Sequence, residues 1–417
     1  MIDQVVAAVP LLRFLNFDGR LLFGTRIIRL FAYGFLSVVL ALYLVQVGLT
    51  ETEIGTLLTL TLIGDAGISL WITTSADRLG RRRMLVLGAV LMLLAGGVFA
   101  FTRNLILLAL AAIIGVISPG GNEIGPFLSI EQAALTQIVP NDQRTRVFAW
   151  YALVGSFATA TGALAGGTLA QALQQLGHSP LVSYRSIVIG YAVLGGLLMA
   201  FFSRLSSSVE VQTGTRSAAA ANLLGLHRSR GIVLRLSSFF ALDAFAGGLI
   251  VQSLIAYWFY VKFGVEPALL GSIFFGANIF AGLSALLAAR IAARVGLINT
   301  MVFTHIPSNL LLMLVPLMPN LPLAIGVLLA RFSISQMDVP TRQSYTMAVV
   351  EPDERSAASG VTTIARSIGA AISPSLTGAM LNASLLSLPF FLSGGLKIVY
   401  DLALYFTFRG VKPPEEK

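Results

Sequence analysis

Long apolar runs separated by short polar intervals occupy the chain from residue 27 onward. A bilayer core requires about 20 apolar residues per helical span. Windows of that kind fall at about 27–47, 53–75, 84–102, 105–126, 147–171, 184–203, 236–261, 268–289, 298–316, 321–338, 357–381 and 387–408. They predict an all-α membrane protein with twelve transmembrane helices in two groups of six. The predicted organisation is 1–203 for the first bundle with a lead-in, 204–235 for a linker, and 236–417 for the second bundle. The linker holds Ser206 to Ser208, the run Ala218–Ala221 and a basic cluster of Arg228, Arg230 and Arg235. Ahead of the first span, Leu11 to Phe23 carries Arg13, Asp18 and Arg20, and reads either as an interfacial amphipathic segment or as a disordered tail.

The two groups repeat each other. Ala76-Asp77-Arg78-Leu79-Gly80-Arg81-Arg82-Arg83 lies between two apolar runs, and Ala292-Ala293-Arg294-Val295-Gly296 recurs 216 positions later. At the same offset Gly48 matches Gly264 and Gly55 matches Gly271. Val139-Pro140-Asn141-Asp142-Gln143-Arg144 likewise matches Val350-Glu351-Pro352-Asp353-Glu354-Arg355 at an offset of 211. A duplicated membrane chain of this kind points to transport.

Composition and charge sharpen that picture. The chain is 56% hydrophobic and 11% charged, with a net charge of +9. In a soluble protein that charge would suggest nucleic acid; here it is segregated by loop. With the N-terminus inside, 22 of the 28 basic residues fall in inner segments. Arg103, Arg185 and Lys262 fall outside, and Arg331, Arg366 and Lys397 within spans. The positive-inside rule therefore places both termini in the cytoplasm of a multi-pass cell-membrane protein. There are no cysteines, which excludes disulfides and thiolate chemistry. No Gly-Lys pair occurs, so there is no P-loop ATPase. His178, His227 and His305 are too dispersed for a metal box, and no cofactor is indicated.

With these residues assembled, the chain resembles the major facilitator superfamily over nearly its whole length. The superfamily's loop signature Gly-x-x-x-Asp-Arg-x-Gly-Arg-Arg is matched by Asp77, Arg78, Gly80, Arg81 and Arg82; Thr73 stands at its leading glycine and Ala293 at the second copy's aspartate. The resemblance implies that Asp77 gates by meeting the positive end of a helix in the other half, at the start of span 11 near Ser356 to Gly360. It also implies that spans 1, 4, 7 and 10 line a central cavity, and that the protein works as a monomer. The arginine and Gly-Pro motifs typical of drug–proton antiporters are absent: Ala111 precedes Gly115 by four, and Gly162-Ala163-Leu164-Ala165-Gly166-Gly167 contains no proline. The Gly162/Gly166 spacing reads as a close helix-packing face.

Charges at bilayer depth each need a reason. Arg331 falls near the middle of span 10, with Ser335 and Asp338 on its helical face. It contacts an anionic group of substrate, or forms a structural ion pair with Asp338 or Asp243. Asp65 and Asp243 are the two candidates for reversible protonation, and either could instead be a fixed ion-pair partner. In span 1, Arg26 and Arg29 read as snorkelling anchors, and Tyr33 as a substrate contact or a packed ring. Glu123 reads as an inner-gate acid for Arg144 or Arg342, and Glu131 as a solvated loop acid. Gln252, Asn278 and Arg366 complete the cavity candidates. His305 reads as hydrogen-bonded packing, and Lys397 with Asp401 as an intrahelical pair.

The expected function is secondary active transport of a small organic solute by alternating access. Protons are the expected drivers because there is no nucleotide site, and export is favoured on superfamily frequency. A facilitative uniporter or an importer of an organic anion is the alternative within transport. A non-transporting chain, scramblase-like or partner-binding, is the alternative from another class.

Overall fold

The computed structural model describes residues 15–123, 125–140, 143–210, 226–351 and 354–411. Most of the lead-in with Arg13, the middle of the linker with Arg216 and Ala218–Ala221, Asn141, Asp142, Pro352, Asp353, Lys412 and Lys417 lie outside the described residues.

Helices α1 (Phe17–Ser37) and α2 (Leu40–Val47) meet at a 49° bend, and taken together they are long and apolar enough for one span. Asn16 caps α1 by accepting the Gly19 N–H at 2.8 Å, so the described end of the lead-in is the first turns of the first span rather than a separate interfacial helix. The chain continues through α3 (Glu51–Leu79), α4 (Arg81–Phe101), α5 (Leu105–Ile114), α6 (Phe127–Ile138), α7 (Arg144–Gln175) and α8 (Pro180–Phe202). The second half repeats the order with α9 (Arg230–Gly248), α10 (Gln252–Phe263), α11 (Pro267–Val295), α12 (Leu297–Leu314), α13 (Leu321–Phe332), α14 (Asp338–Ala348), α15 (Arg355–Asn382) and α16 (Leu388–Phe408). Among the described residues, eight helical stretches are long and apolar enough to cross a membrane, and the bent pair makes nine. The windows at 105–126 and 321–338 fall on short helices, and that at 357–381 on α15, which is not among the nine.

The four segments predicted to line a cavity, numbers 1, 4, 7 and 10, are all interrupted: at 38–39, at 115–123 and 125–126, at 249–251 and at 333–337. Carbonyls freed at two of these breaks find side-chain donors. The Tyr191 hydroxyl donates to the Val116 carbonyl, and Thr377 Oγ1 donates to the Leu249 carbonyl at 2.7 Å. This is how unwound backbone survives where water is scarce.

The chain divides into two compact units. The first is Met1–Val47, Gly64–Arg216 and Glu266–Ser272; the second is Gly48–Ile63, Ser217–Val265 and Ile273–Lys417. In the first, α1 lies along α7 at contact distance. A Cβ added at Gly34 would stand 2.1 Å from the Thr159 carbonyl oxygen, one at Gly162 2.1 Å from Phe31 O, and one at Gly166 2.2 Å from Phe35 O. In the second, α9 lies along α15 in the same manner, with Gly369 facing the Ala241 carbonyl and Gly248 that of Ala370. Small residues let the backbones approach, the device that replaces hydrophobic driving force between helices in lipid. Each unit also holds a crossing of glycine on glycine, Gly167 against Gly271 in the first and Gly55 against Gly378 in the second.

The repeated basic loops turn at Gly80 (φ 103°) and Gly296 (φ 87°), backbone that a side chain would strain. The segment after α8 is tied back to the first of these loops and to the start of α1. Glu210 accepts the Arg81 N–H at 2.7 Å at the start of α4, and Asp18 accepts from Ser206 and Ser208. At the other end of the linker, Glu354 takes the backbone N–H groups of His227, Arg228 and Ser229 at the start of α9. The Ser229 hydroxyl and these three N–H groups hold the Glu354 carboxyl down at about 2.

Two outcomes are expected. Gly162→Leu should lower thermal stability sharply, at about 1–3 kcal/mol or more. Gly97→Leu, with nothing within 4 Å of the added carbon, should melt as the wild type does in detergent fluorescence scans. The Glu354 tie needs an ionised carboxylate, so its stabilisation is full above the ordinary value of 4.5 and fades as pH falls toward about 2. The melting-temperature gap between wild type and Glu354→Gln should therefore close across that window.

Candidate functional site

In the first unit, α1, α6 and α7 converge on a buried salt-bridge network. Arg29, fully buried, donates from Nη1 and Nη2 to the two Glu131 oxygens at 2.6 and 2.7 Å, and from Nε to Glu123 at 2.9 Å. Arg26 donates to Glu123 at 2.7 Å and to the Tyr151 carbonyl at 2.6 Å. Glu131 also accepts from the Thr25 hydroxyl at 3.2 Å and from the Tyr151 hydroxyl. The Arg26 guanidinium stacks over the Tyr151 ring at 4.3 Å and that of Arg29 over Phe127 at 4.7 Å. Two cations meet two acids, and the bidentate fork is the strong form of the contact.

Three sequence readings are corrected here. Arg26 and Arg29 do not snorkel; they turn inward onto acids from the next interrupted segment. Glu131 is not a solvated loop acid but is fully covered on α6. Glu123 partners Arg26 and Arg29 instead of Arg144 or Arg342; Arg144 donates to the Thr136 carbonyl.

In the second unit, Asp243 on α9 accepts from Lys397 Nζ at 2.5 Å, Arg366 at 3.0 Å and Arg342 at 3.2 Å. Arg342 also reaches Asp338 at 2.8 Å. Lys397 thus leaves its helical neighbour Asp401, correcting the intrahelical pairing. Asp401 instead binds His305 Nδ1 at 2.8 Å and Asn309 Nδ2 at 3.2 Å. His305 is hydrogen-bonded, as its sequence position suggests, but to a buried acid.

The two networks occupy equivalent places in the duplication. Arg29 and Asp243 are 214 apart, the offset that also relates Gly34 to Gly248; Glu131 and Arg342 are 211 apart, the offset of the matched loops. One bridge therefore occurs twice with its signs exchanged: arginine on segment 1 with glutamate on segment 4, aspartate on segment 7 with arginine on segment 10.

Arg331 stands apart from both. It is 8% exposed, its Nε has no hydrogen-bond partner, and no carboxylate lies within 4.0 Å of it among the described residues. The ion pair with Asp338 or Asp243 is thereby excluded in this conformation; its ring neighbour is Phe332, at 4.9 Å. Ser335, at the break after α13, is buried with its hydroxyl also unpartnered. Asp65 on α3 accepts from Ser69 at 3.1 Å and has no cation within ion-pair distance among the described residues. Tyr33 is buried on α1, and Gln252 accepts from Asn278 at 3.3 Å.

The signature loop is a clamp within the first unit. Asp77 pairs with Arg81 at 2.9 Å; Arg81 also reaches Gln137 at 2.9 Å and Val209 O at 3.3 Å; Arg82 donates to Leu205 O at 3.2 Å; Arg78 is exposed.

Two duplicated helical halves, interrupted inner segments and buried charge networks define a polytopic membrane transport scaffold. The chain matches the Major Facilitator Superfamily over residues 22–374 and again over 245–417. An uncharacterized membrane protein of Saccharomyces cerevisiae, YJR124C, is 31% identical over 424 residues, covering 94% of each chain. Among solved structures, the nucleoside transporter NupG superposes with a TM-score of 0.73 at 13% identity, covering 94% of this chain and 100% of its own. The D-xylose-proton symporter gives 0.69 at 15%, with 96% and 98% covered. A bacterial homolog of the human lysosomal transporter Spinster gives 0.68 at 15%, with 94% of each covered. The chain belongs to the Major Facilitator Superfamily. It is a membrane transporter, not an enzyme.

Removing one side of a buried bridge strands the other, at about 3–5 kcal/mol, whereas removing both is far milder. Glu131→Leu should therefore collapse the yield of folded monodisperse protein in size-exclusion chromatography. Arg29→Met combined with Glu131→Leu should recover part of it.

Proposed function

We propose that this transporter exports a small organic solute bearing an anionic group, in exchange for protons, as a monomer in the cell membrane with both termini cytoplasmic. The observation that carries the reading is Arg331: a covered guanidinium, four residues before the unpartnered Ser335 hydroxyl, with no carboxylate at ion-pair distance among the described residues. A cation so placed is costly until an anion arrives, and a planar fork suits a carboxylate or phosphate. Tyr33, Gln252, Asn278 and Ser335 are assigned to the remainder of the solute.

For the proton, the choice between the two aspartates goes to Asp65. Asp243 faces three cations at 2.5–3.2 Å and has little reason to take up a proton. Asp65 meets the Ser69 hydroxyl, the Gly125 amide and the field of the Glu123 carboxylate, with no cation at ion-pair distance among the described residues. Export rests on superfamily frequency, and the gating of Asp77, Arg78, Gly80, Arg81 and Arg82 on the resemblance, together with Glu123, Asp338 and Arg366.

The test is solute-driven proton movement in proteoliposomes, across organic anions, zwitterions and cationic drugs. An anion-selective signal is expected. Arg331→Ala should weaken the response about 10- to 100-fold, the worth of a charged hydrogen bond. Asp65→Asn should retain solute exchange while abolishing proton movement. Flux with no proton movement in the wild type would instead establish a uniporter. Silence across the panel would favour a non-transporting chain.

A further inference from the structure

The start of α12 and the end of α16 enclose a cleft of about 450 Å³ in the second unit. Gly296, Ile298 and Asn299 line it from one helix, and Phe408, Arg409 and Val411 from the other. Ile298 and Phe408 belong to the buried apolar core beneath it, while Asn299, Arg409 and Val411 are exposed. The described lining contains a cation and no acid, and exposed Arg294, at the end of α11, stands two residues before Gly296.

The duplication places the start of α4 at the same point in the first unit, and there a carboxylate is bound. Gly80 turns at φ 103° and brings no side chain to cap α4. Glu210 lies against it, accepting the Arg81 N–H on one oxygen at 2.7 Å and the Arg82 N–H on the other at 3.2 Å. At the offset of 216, Gly296 repeats Gly80 with φ 87° and again no side-chain cap, and Leu297 and Ile298 stand where Arg81 and Arg82 stand.

The acid is in register as well. Glu210 follows Phe202, the last residue of α8, by eight; Glu416 follows Phe408, the last residue of α16, by eight. Three past each helix end, Leu205 O accepts from Arg82 at 3.2 Å and Val411 O accepts from the Tyr345 hydroxyl at 3.1 Å. Val411 thereby starts its continuation at the cleft. The five residues from there to Glu416 can extend about 17 Å, more than the separation of about 10 Å between packed helices such as α12 and α16.

We propose that the segment after Val411 docks in this cleft, with the Glu416 carboxylate on the backbone N–H groups of Leu297 and Ile298. The helix start favours an anion there, and Arg294 and Arg409 add attraction. A lipid phosphate would suit the same charge, but the duplicate position holds a carboxylate of the chain itself, at the matching distance from its last helix. The site touches neither the solute nor the proton reading.

The experiment is backbone hydrogen–deuterium exchange on the full chain in nanodiscs, read on peptides covering 296–299 and 80–83. Glu416→Gln should exchange about 10-fold faster at the start of α12, the worth of one hydrogen bond to a charged group. Glu415→Gln should stay near the wild type. The start of α4, held by Glu210, should be unchanged in both, which shows the fold intact; Glu210→Gln should accelerate it by a similar factor. Wild-type exchange at 296–299 in Glu416→Gln overturns the proposal. Protection there that ignores the glutamine change but vanishes in phospholipid-free detergent also overturns it, and gives the cleft to a lipid headgroup.

Discussion

The bridge between the first and fourth segments is the constraint from which much of the fold follows. Both segments are broken, so neither can rely on an uninterrupted ladder of helical hydrogen bonds across a bilayer. Arg29 and Glu131 meet with no surface left uncovered, and a charge there has no other source of solvation. The pair therefore fixes the register of α6 against α1, and the Tyr151 hydroxyl and carbonyl extend that register to α7. Close packing of α1 on α7 at Gly34, Gly162 and Gly166 then follows on the same two helices.

The second half solves the same problem with opposite signs. Asp243 and Arg342 stand where Arg29 and Glu131 stand, which implies selection for a charge pair at this place rather than for a particular ion. The exchange has a consequence. A lone arginine fork can be satisfied by two glutamates, and the first network closes on itself. A lone aspartate attracts several cations, and the second network has acquired Arg366 and Lys397, then Asp401 and His305 by way of α16. In the second network Arg366 keeps 34% of its side chain uncovered, whereas Arg29 and Glu131 at the centre of the first are fully buried.

Much of the frame was legible in the sequence, because hydropathy, loop charge and repeated glycines are local signals. The all-helical membrane frame, its duplication and the repeated loop glycines Gly80 and Gly296 follow from such signals. Three windows fall on helices that are shorter or more polar than a free-standing span. The breaks at 115–123 and 125–126, and at 333–337, consume length in two of them, and the third, α15, carries Arg355, Arg366 and several serines and threonines. The buried network was misread for a different reason. Arg26 and Arg29 sit at the edge of an apolar run, where snorkelling and inward pairing give the same local pattern. Only the separation of 214 between Arg29 and Asp243, matching that between Gly34 and Gly248, carries the information that these are paired positions. Lys397 and Asp401 misled in the same way: a spacing of four promises a pair along the helix, but each found a better partner on a neighbouring one.

Arg331 shows the opposite case. Its sequence context offered Asp338 one face away, and ordinary chemistry would close that pair. The break at 333–337 removes the helical spacing that placed them together, and Asp338 begins α14 bound to Arg342 instead. The interruption of the tenth segment thus does two things at once: it gives Arg342 its acid and leaves Arg331 and Ser335 without partners. The unwinding of that segment is what leaves Arg331 outside the ion pairs of its neighbours, the feature on which the proposed anion contact rests.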